Sequence, residues 1–258
     1  MVFKEKIISY LKETVPEVHK KFDSSHWHEI EELAEYCEKV YIILAKVMNS
    51  QKQNTVSDLE FNIAMLLWRG MNTIIASFEL IRGGYGIEPL VIARNALETS
   101  ATALDLLLNP GKYKDFKRKK YKSSNAISVA SKIIPIFGKF YGILTNNYSH
   151  IAFSSSYPQY YKNEKGVAIL ISGGMYGEEN KYYLNLNLSL VGTLQSVFLA
   201  VTEYIFFKYC DSPQLWERIR DELQFKGTSG EALRHLRRIG LVIKSIKALD
   251  KEESDTKP

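Results

Sequence analysis

The hydrophobic pattern is densest between Leu66 and Leu108, where two apolar runs flank a glycine-rich turn. The apolar run Phe61–Ile81 is far too long for a strand, so it predicts a buried helix. A second run, Pro89–Leu108, predicts another helix, because proline is tolerated in a first helical turn. The short segment Arg82–Gly86 joins the two runs. Together they predict an antiparallel helical hairpin at the centre of the fold.

Short polar motifs set the ends of these two helices. Ser57 and Glu60 have the spacing of a capping box, in which a hydroxyl and a carboxylate each bind a free amide of the first turn. Gly83 and Gly84 can end the first helix, because glycine readily adopts the left-handed conformation. The breaker sequence Asn109–Gly111 ends the second helix.

The remaining pattern extends the helical bundle. Helical spacing predicts further helices over 2–14, Trp27–Ser50, Ser123–Phe140 with a break at Pro135, Ser189–Tyr209, Gln214–Phe225 and Glu231–Leu249. Val167–Ser172 and Tyr182–Leu188 flank a glycine-rich segment, and the second run alternates apolar and polar residues, so they predict a two-stranded hairpin. The predicted fold class is mainly α: a helical bundle around a central antiparallel helix pair, with one small β-hairpin at about 167–188. We expect residues 1–250 to form a single domain and residues 251–258 a disordered tail.

Composition narrows the class of protein. The chain has 258 residues, 45% hydrophobic and 24% charged, which is ordinary for a globular protein. Its net charge of +5 permits an anionic partner without requiring one. Cys37 and Cys210 have neither metal-site spacing nor the number for a disulfide framework, so we expect a cytoplasmic protein without a metal or other cofactor.

The N-terminus lacks the apolar core of a signal peptide. The apolar segment Leu188–Phe207 contains Gln195 and Glu203, which favours a buried bundle helix over a membrane span.

Arg69, Arg94 and Glu98 are the polar residues most out of place in the two central apolar runs. Arg94 and Glu98 are four positions apart, so they share one helix face. A buried charge has to be paired, because an unpaired charge in a low-dielectric interior is strongly destabilising. One interpretation is a structural ion pair that fixes helix register. The other is a polar pocket, to which Arg69, Tyr141 and Asn147 would contribute.

A basic segment follows the central hairpin. Residues 112–122 contain seven basic side chains and one Asp, interleaved with three aromatic rings. Cations attract phosphates and aromatic rings stack on bases, so Lys117, Arg118, Lys119 and Lys120 are candidate RNA contacts. The alternative is a helix whose aromatic side packs inward while its lysines are solvated.

His150 ends a polar stretch in an otherwise apolar neighbourhood. Histidine is the side chain best suited to move protons near neutral pH, so His150 is a candidate general acid or base. The alternative is a hydrogen-bonded core histidine.

The motifs around these residues resemble an uncharacterised, mainly bacterial, all-helical family of unknown function. The likeness rests on Trp68-Arg69, on the turn Gly84-Tyr85-Gly86 and on the segment Ala93–Glu98. A later segment with Tyr141, Leu144, Thr145 and His150 resembles the tyrosine-to-histidine motif of that family, with Thr145 in place of its serine. The likeness covers about Phe61 to His150.

The family is in turn similar, at the level of fold, to the HEPN helical domains of toxin–antitoxin and phage-defence systems. Many of those domains are metal-independent RNases whose motif places an arginine four to six residues before a histidine. This chain has Thr145, Asn146 and Asn147 before His150, with no arginine there. The resemblance therefore implies an RNase-like fold with an incomplete motif.

Three functions follow as hypotheses. The first is a non-catalytic interaction or assembly module, expected to be a homo-oligomer, in which Arg94, Glu98 and His150 form a buried polar network. The second is an RNase or nucleic-acid-binding protein, in which His150 is the acid or base, Arg94 clamps a phosphate and Glu98 orients one of them. The third is a helical pocket that senses a small ligand, which fits the 16 tyrosines.

Overall fold

A computed structural model describes residues 3–52, 55–134, 136–145, 160–162, 168–170, 174, 176–177 and 181–210. Its helices are α1 (Phe3–Ser9), α2 (Val15–Ser25), α3 (Trp27–Lys52), α4 (Asp58–Arg82), α5 (Glu88–Leu108), α6 (Tyr113–Lys117), α7 (Ser124–Ile133), α8 (Ile136–Leu144) and α9 (Lys181–Ile205). A π-helical turn, Tyr10–Thr14, joins α1 to α2, and 3-10 turns lie at Pro110–Lys112 and Phe207–Tyr209. Strand β1 (Tyr160–Lys162) pairs antiparallel with β2 (Ala168–Leu170), with Tyr160 opposite Leu170. The prediction of a mainly α protein is confirmed.

The start of α4 has the predicted capping box. Ser57 Oγ accepts from the Glu60 amide at 3.2 Å, and a Glu60 carboxylate oxygen accepts from the Ser57 amide at 2.9 Å. Lys208 Nζ donates to the other Glu60 carboxylate oxygen at 2.7 Å. One glutamate therefore both caps α4 and ties the chain after α9 to the start of α4.

Helices α4 and α5 contact each other at the turn that joins them, where Ser77 Oγ donates to the Pro89 carbonyl at 2.7 Å. At the opposite end, Tyr113 lies just after α5, and its hydroxyl donates to an Asp58 carboxylate oxygen at 2.7 Å. The α4 helix ends at Gly83, and Gly84 has a φ of 76°, a left-handed conformation that glycine adopts without strain.

Helix α9 packs against α3, α4 and α5, and most of its side chains are buried. It comes close to α4 at Gly70, where an added Cβ would lie 2.5 Å from the Phe198 ring. Fully buried leucines and isoleucines recur at helical spacing on the facing helices: Ile63, Leu67 and Ile81 of α4, and Leu90, Leu97 and Leu104 of α5. The core is thus formed mainly by α4, α5 and α9, with α3 packed alongside.

The predicted hairpin at 167–188 is wrong in its second strand. Residues 182–188 begin α9, and Ala168–Leu170 pairs with the earlier segment Tyr160–Lys162. Alternating leucines normally mark a strand with one buried face. Here Leu184 and Leu186 are both buried in a helix, because α9 has neighbours on several sides. The intervening Asn187 is also buried, and its amide nitrogen donates to the Gly86 carbonyl at 2.9 Å.

Other predicted elements have the following outcomes. The helix expected from Trp27 is present as α3, and the break expected at Pro135 falls between α7 and α8. After the predicted helix 2–14, Pro16 lies in the first turn of α2, where its missing N–H costs nothing. The helices predicted over 214–225 and 231–249, and the tail 251–258, lie outside the described residues.

Candidate functional site

Arg94 joins α5 to α8. Its Nε donates to Glu98 Oε1 at 2.9 Å, and a terminal guanidinium nitrogen donates to the Tyr141 hydroxyl at 3.0 Å. The guanidinium carbon also lies 5.1 Å from the centre of the Tyr141 ring, within range of a cation–π contact. The structure therefore brings together three residues that the sequence singled out.

The Arg94 cluster is half-buried. The side chains of Arg94 and Glu98 each keep 26% of their surface exposed, so this part of the expected Arg94–Glu98–His150 network is half-buried, and His150 lies outside the described residues. Burial by itself would lower the pKa of Arg94, but the hydrogen bond and charge of Glu98, with Tyr141, raise it above its ordinary value. The cluster holds a permanent cation in place and orients it with two partners.

The other predicted pocket and catalytic residues do not join this cluster among the described residues. Arg69 lies on the exposed face of α4, and its side chain makes no hydrogen bond or ion pair within the described part of the chain. An exposed cation stays hydrated, so Arg69 needs no ion-pair partner within the fold. His150 and Asn147 lie outside the described residues, so their roles stay predictions.

A second polar cluster surrounds Asp105 near the end of α5. The Asp105 side chain has no exposed surface, and its two carboxylate oxygens accept from Lys112 Nζ at 2.8 and 2.9 Å. The Tyr121 hydroxyl donates to the same carboxylate at 2.6 Å, and Asn109 donates to it at 2.7 Å. The hydrophobic pattern did not predict this site, whose signal in the sequence is a single carboxylate inside the apolar run Ala101–Leu108.

The Asp105 cluster fixes the charge states of its members. Burial alone would raise the pKa of Asp105, but the hydrogen bonds from Lys112, Tyr121 and Asn109 outweigh it and lower the pKa below its usual range. Burial and the hydrogen bond to Asp105 raise the pKa of Tyr121 well above its ordinary value. A buried ionised carboxylate with three donors is the arrangement of a structural anchor.

The basic segment after α5 divides into anchored and free cations. Lys112 binds Asp105, while Lys117 binds Asp58 at 3.0 Å and lies over the Tyr113 ring. The next three residues, which we call the cationic turn (Arg118, Lys119 and Lys120), are exposed and make no side-chain ion pair within the described residues. Lys119 has a φ of 57°, which turns the chain sharply after α6. Of the four predicted RNA contacts, three are therefore available and Lys117 is occupied.

A further ion pair lies near the start of α3. Arg82 binds Asp23 through two hydrogen bonds of 2.7 Å, and the hydrogen bond from Arg82 lowers the pKa of Asp23. His26 stacks on Phe22 with ring centres 4.8 Å apart. Asp23 and His26 are therefore partly packed. Within the described residues, no three His, Cys, Asp or Glu side chains are placed to hold a metal ion.

An open groove lies on the outer side of α3, with a volume of about 610 Å³. We call it the acidic groove; its lining residues are Glu31, Ala34, Glu35, Cys37, Glu38, Tyr41 and Met71. Burial raises the pKa of the Cys37 thiol to about 11, so that side chain is a neutral part of the lining. The groove combines an apolar floor with three carboxylates.

Within the described residues, the segment Tyr183–Ile205 of α9 is long and apolar enough to cross a membrane, with a mean hydropathy of 1.5. Most of its apolar window, 72%, is buried inside the bundle. A core helix of a soluble protein passes the same test of length and composition.

Comparison with protein-family models, with curated proteins and with solved structures found no match for this chain. The resemblance to the helical family of unknown function and to HEPN domains therefore stays a prediction.

Proposed function

We propose that this protein is a non-catalytic interaction and assembly module built on α4 and α5 as a central antiparallel pair. The observation that carries the proposal is the state of Arg94. Its guanidinium is engaged by Glu98 on one edge and by Tyr141 on another, while the Tyr141 ring lies beside it. An arginine held in this way braces α8 against α5.

The protonation states of the anchored carboxylates support the same proposal. The pKa of Asp23 is lowered by Arg82, that of Asp58 by Tyr113 and Lys117, and that of Asp105 by its three donors against the effect of burial. A general acid or base works best with a pKa near the operating pH. Carboxylates held ionised by fixed partners instead stabilise the fold.

The test is a metal-free RNA-cleavage assay on the purified chain, with Arg94→Lys and His150→Ala prepared alongside. We expect no cleavage above buffer by the wild-type protein. We also expect Arg94→Lys to lower the melting temperature, because a lysine cannot reproduce the two-sided guanidinium contacts. Cleavage by wild type that disappears in a folded His150→Ala variant would contradict the proposal and favour the RNase hypothesis.

RNA binding without cleavage is the second candidate, and the cationic turn is the observation that favours it. Three adjacent cations without internal partners can bind phosphates, and such binding weakens steeply with added salt. The measurement is affinity for a single-stranded RNA at several salt concentrations. Replacing Arg118, Lys119 and Lys120 by alanine should remove binding, whereas replacing Lys12, Lys20 and Lys21 should not. A response to salt that is flat would exclude this candidate.

A further inference from the structure

The acidic groove is shaped to receive a cation. Glu35 and Glu38 make no hydrogen bond or ion pair within the described residues, and Glu31 accepts one hydrogen bond from Trp27 at 2.7 Å. The small Ala34 between them leaves room for an incoming chain. A lysine or arginine could lay its aliphatic stem on the apolar floor and direct its charge to the carboxylates.

Aromatic rings border one end of the groove. The Tyr41 side chain is 52% exposed, and its ring centre lies 5.8 Å from that of Trp68 on α4. An exposed tyrosine face attracts a lysine or guanidinium head in addition to any ion pair. The groove thus offers both features that recognise a basic side chain: carboxylates and an aromatic face.

The same chain carries a matching cationic surface in the cationic turn. The segment before the turn is anchored, because Lys117 and Tyr113 both bind Asp58 on α4. Lys119, in the middle of the turn, has a left-handed φ of 57°. The turn therefore presents three adjacent exposed cations, which complement the three carboxylates of the groove.

The two surfaces of one copy are too far apart to meet. Asp58, which anchors the cationic turn, and Met71, which lines the acidic groove, are both on α4. At 1.5 Å rise per residue, these two positions are about 20 Å apart along the helix. Moving the cationic turn over that distance within one copy would break the ion pair between Lys117 and Asp58.

We propose that the acidic groove of one copy binds the cationic turn of a second copy, head to tail. The inference rests on the proposed assembly function and names its partner. A head-to-tail contact leaves one groove and one turn unused in each pair, so it continues into a ring or a filament. The contact is small and its charges are exposed, so the association is weak and weakens as salt is added.

The experiment is sedimentation velocity of the full chain at low and high salt, with charge reversals on each surface. The groove variant is E31K/E35K/E38K, and the turn variant is R118E/K119E/K120E. Each variant alone should be monomeric, because both of its surfaces then carry the same charge. An equimolar mixture should associate again, because the groove of each variant is then opposite in charge to the turn of the other variant. A control, K12E/K20E/K21E, reverses the same number of positive charges at other exposed positions and should behave as wild type.

The outcomes separate this inference from the proposed function. Wild-type association that both reversals leave unchanged would overturn the groove-to-turn contact while the assembly function stands. A wild type that stays monomeric at low salt would overturn both. Loss of binding to single-stranded RNA in the turn variant, with a monomeric wild type, would assign the cationic turn to RNA instead.

Discussion

Helix α5 carries one polar cluster near its middle and another near its C-terminal end, and the two clusters differ in burial and in the origin of their partners. Arg94 takes Glu98 from the next turn of its own helix and Tyr141 from α8, and it keeps 26% of its side-chain surface exposed. Asp105 has no exposed side-chain surface, and it takes Lys112 and Tyr121 from the chain after α5. The first cluster braces two helices at the surface, and the second holds the basic segment against the core.

The difference in exposure decides how much each cluster contributes to stability. An ion pair in contact with water is screened, and removing one partner costs little. Removing a carboxylate that has no exposed surface leaves all of its donors without their acceptor, although Lys112 keeps 41% of its side chain exposed to water. We therefore expect the free energy of unfolding to depend more on Asp105 than on Arg94.

The largest expected effect is that of Asp105→Ala. The change removes the acceptor of four hydrogen bonds. We expect the free energy of unfolding to fall by roughly 3 kcal/mol, as for breaking a buried pair. Denaturant unfolding measures it. The exposed Asp115→Ala is the matched control and should stay within about 0.5 kcal/mol of wild type. Equal losses of unfolding free energy in Asp105→Ala and Asp115→Ala would contradict the contribution assigned to the Asp105 cluster.

The next effect concerns pH. The pKa of Asp105 is lower in the folded chain than in the unfolded chain, because its hydrogen bonds outweigh the effect of burial. Its contribution to stability is therefore fully present above the unfolded pKa, and it is lost as the pH falls through the folded value. Melting temperatures measured from pH 7 downward should show wild type converging on Asp105→Asn in the acid range. A constant gap between them at every pH would show that ionisation of Asp105 does not stabilise the fold.

Tyr121→Phe and Tyr141→Phe compare the two clusters with the same chemical change. Each removes one hydroxyl and leaves the ring in place. Tyr121 donates to a buried anion, so its loss should cost about 1.5 kcal/mol. Tyr141 accepts from a half-exposed guanidinium, and the cation–π contact survives, so the cost should be about 0.5 kcal/mol. Urea unfolding of the two variants measures both losses. A larger loss for Tyr141→Phe than for Tyr121→Phe would contradict the roles assigned to the two clusters.

The smallest expected effect is that of Arg94→Met, which keeps an unbranched side chain without the charge. We expect a loss of roughly 0.5–1 kcal/mol, because the ion pair is half-exposed and lies within one helix. Glu98→Gln should give a similar loss, and the double variant should lose less than the two single losses combined. A loss above that of Asp105→Ala would make the Arg94 cluster the main anchor of the fold.

The sequence predicted the helices of the core well and the polar sites only in part. The capping box at Ser57 and Glu60 was readable because both partners belong to one local motif. The pair Arg94 and Glu98 was readable for the same reason, since helical spacing brings residues four apart together. The link from Arg94 to Tyr141 spans 47 positions, and no local pattern encodes it.

Long-range packing explains the remaining errors. Lys112 and Tyr121 come after a helix break, so helical periodicity does not pair them with Asp105. Residues 182–188 have the alternation of a strand, but α9 packs against several helices and buries Leu184, Leu186 and the intervening Asn187. The exposure of Arg69 follows from the rotation of α4 against its neighbours, which the composition of a single helix does not determine.

The contact between Asn187 and the turn between α4 and α5 has a consequence for the order of folding. The Asn187 amide nitrogen donates to the carbonyls of Tyr85 and Gly86, about a hundred positions earlier in the chain. During synthesis, α4 and α5 leave the ribosome long before α9 exists, so these two carbonyls keep water as their partner until α9 arrives. Helices α4 and α5 can form early from local contacts. The hydrogen bonds from Asn187 to the turn between them form later, because Asn187 is far away in sequence. The slowest step of folding should therefore be the docking of α9 onto a pair of helices that is already assembled.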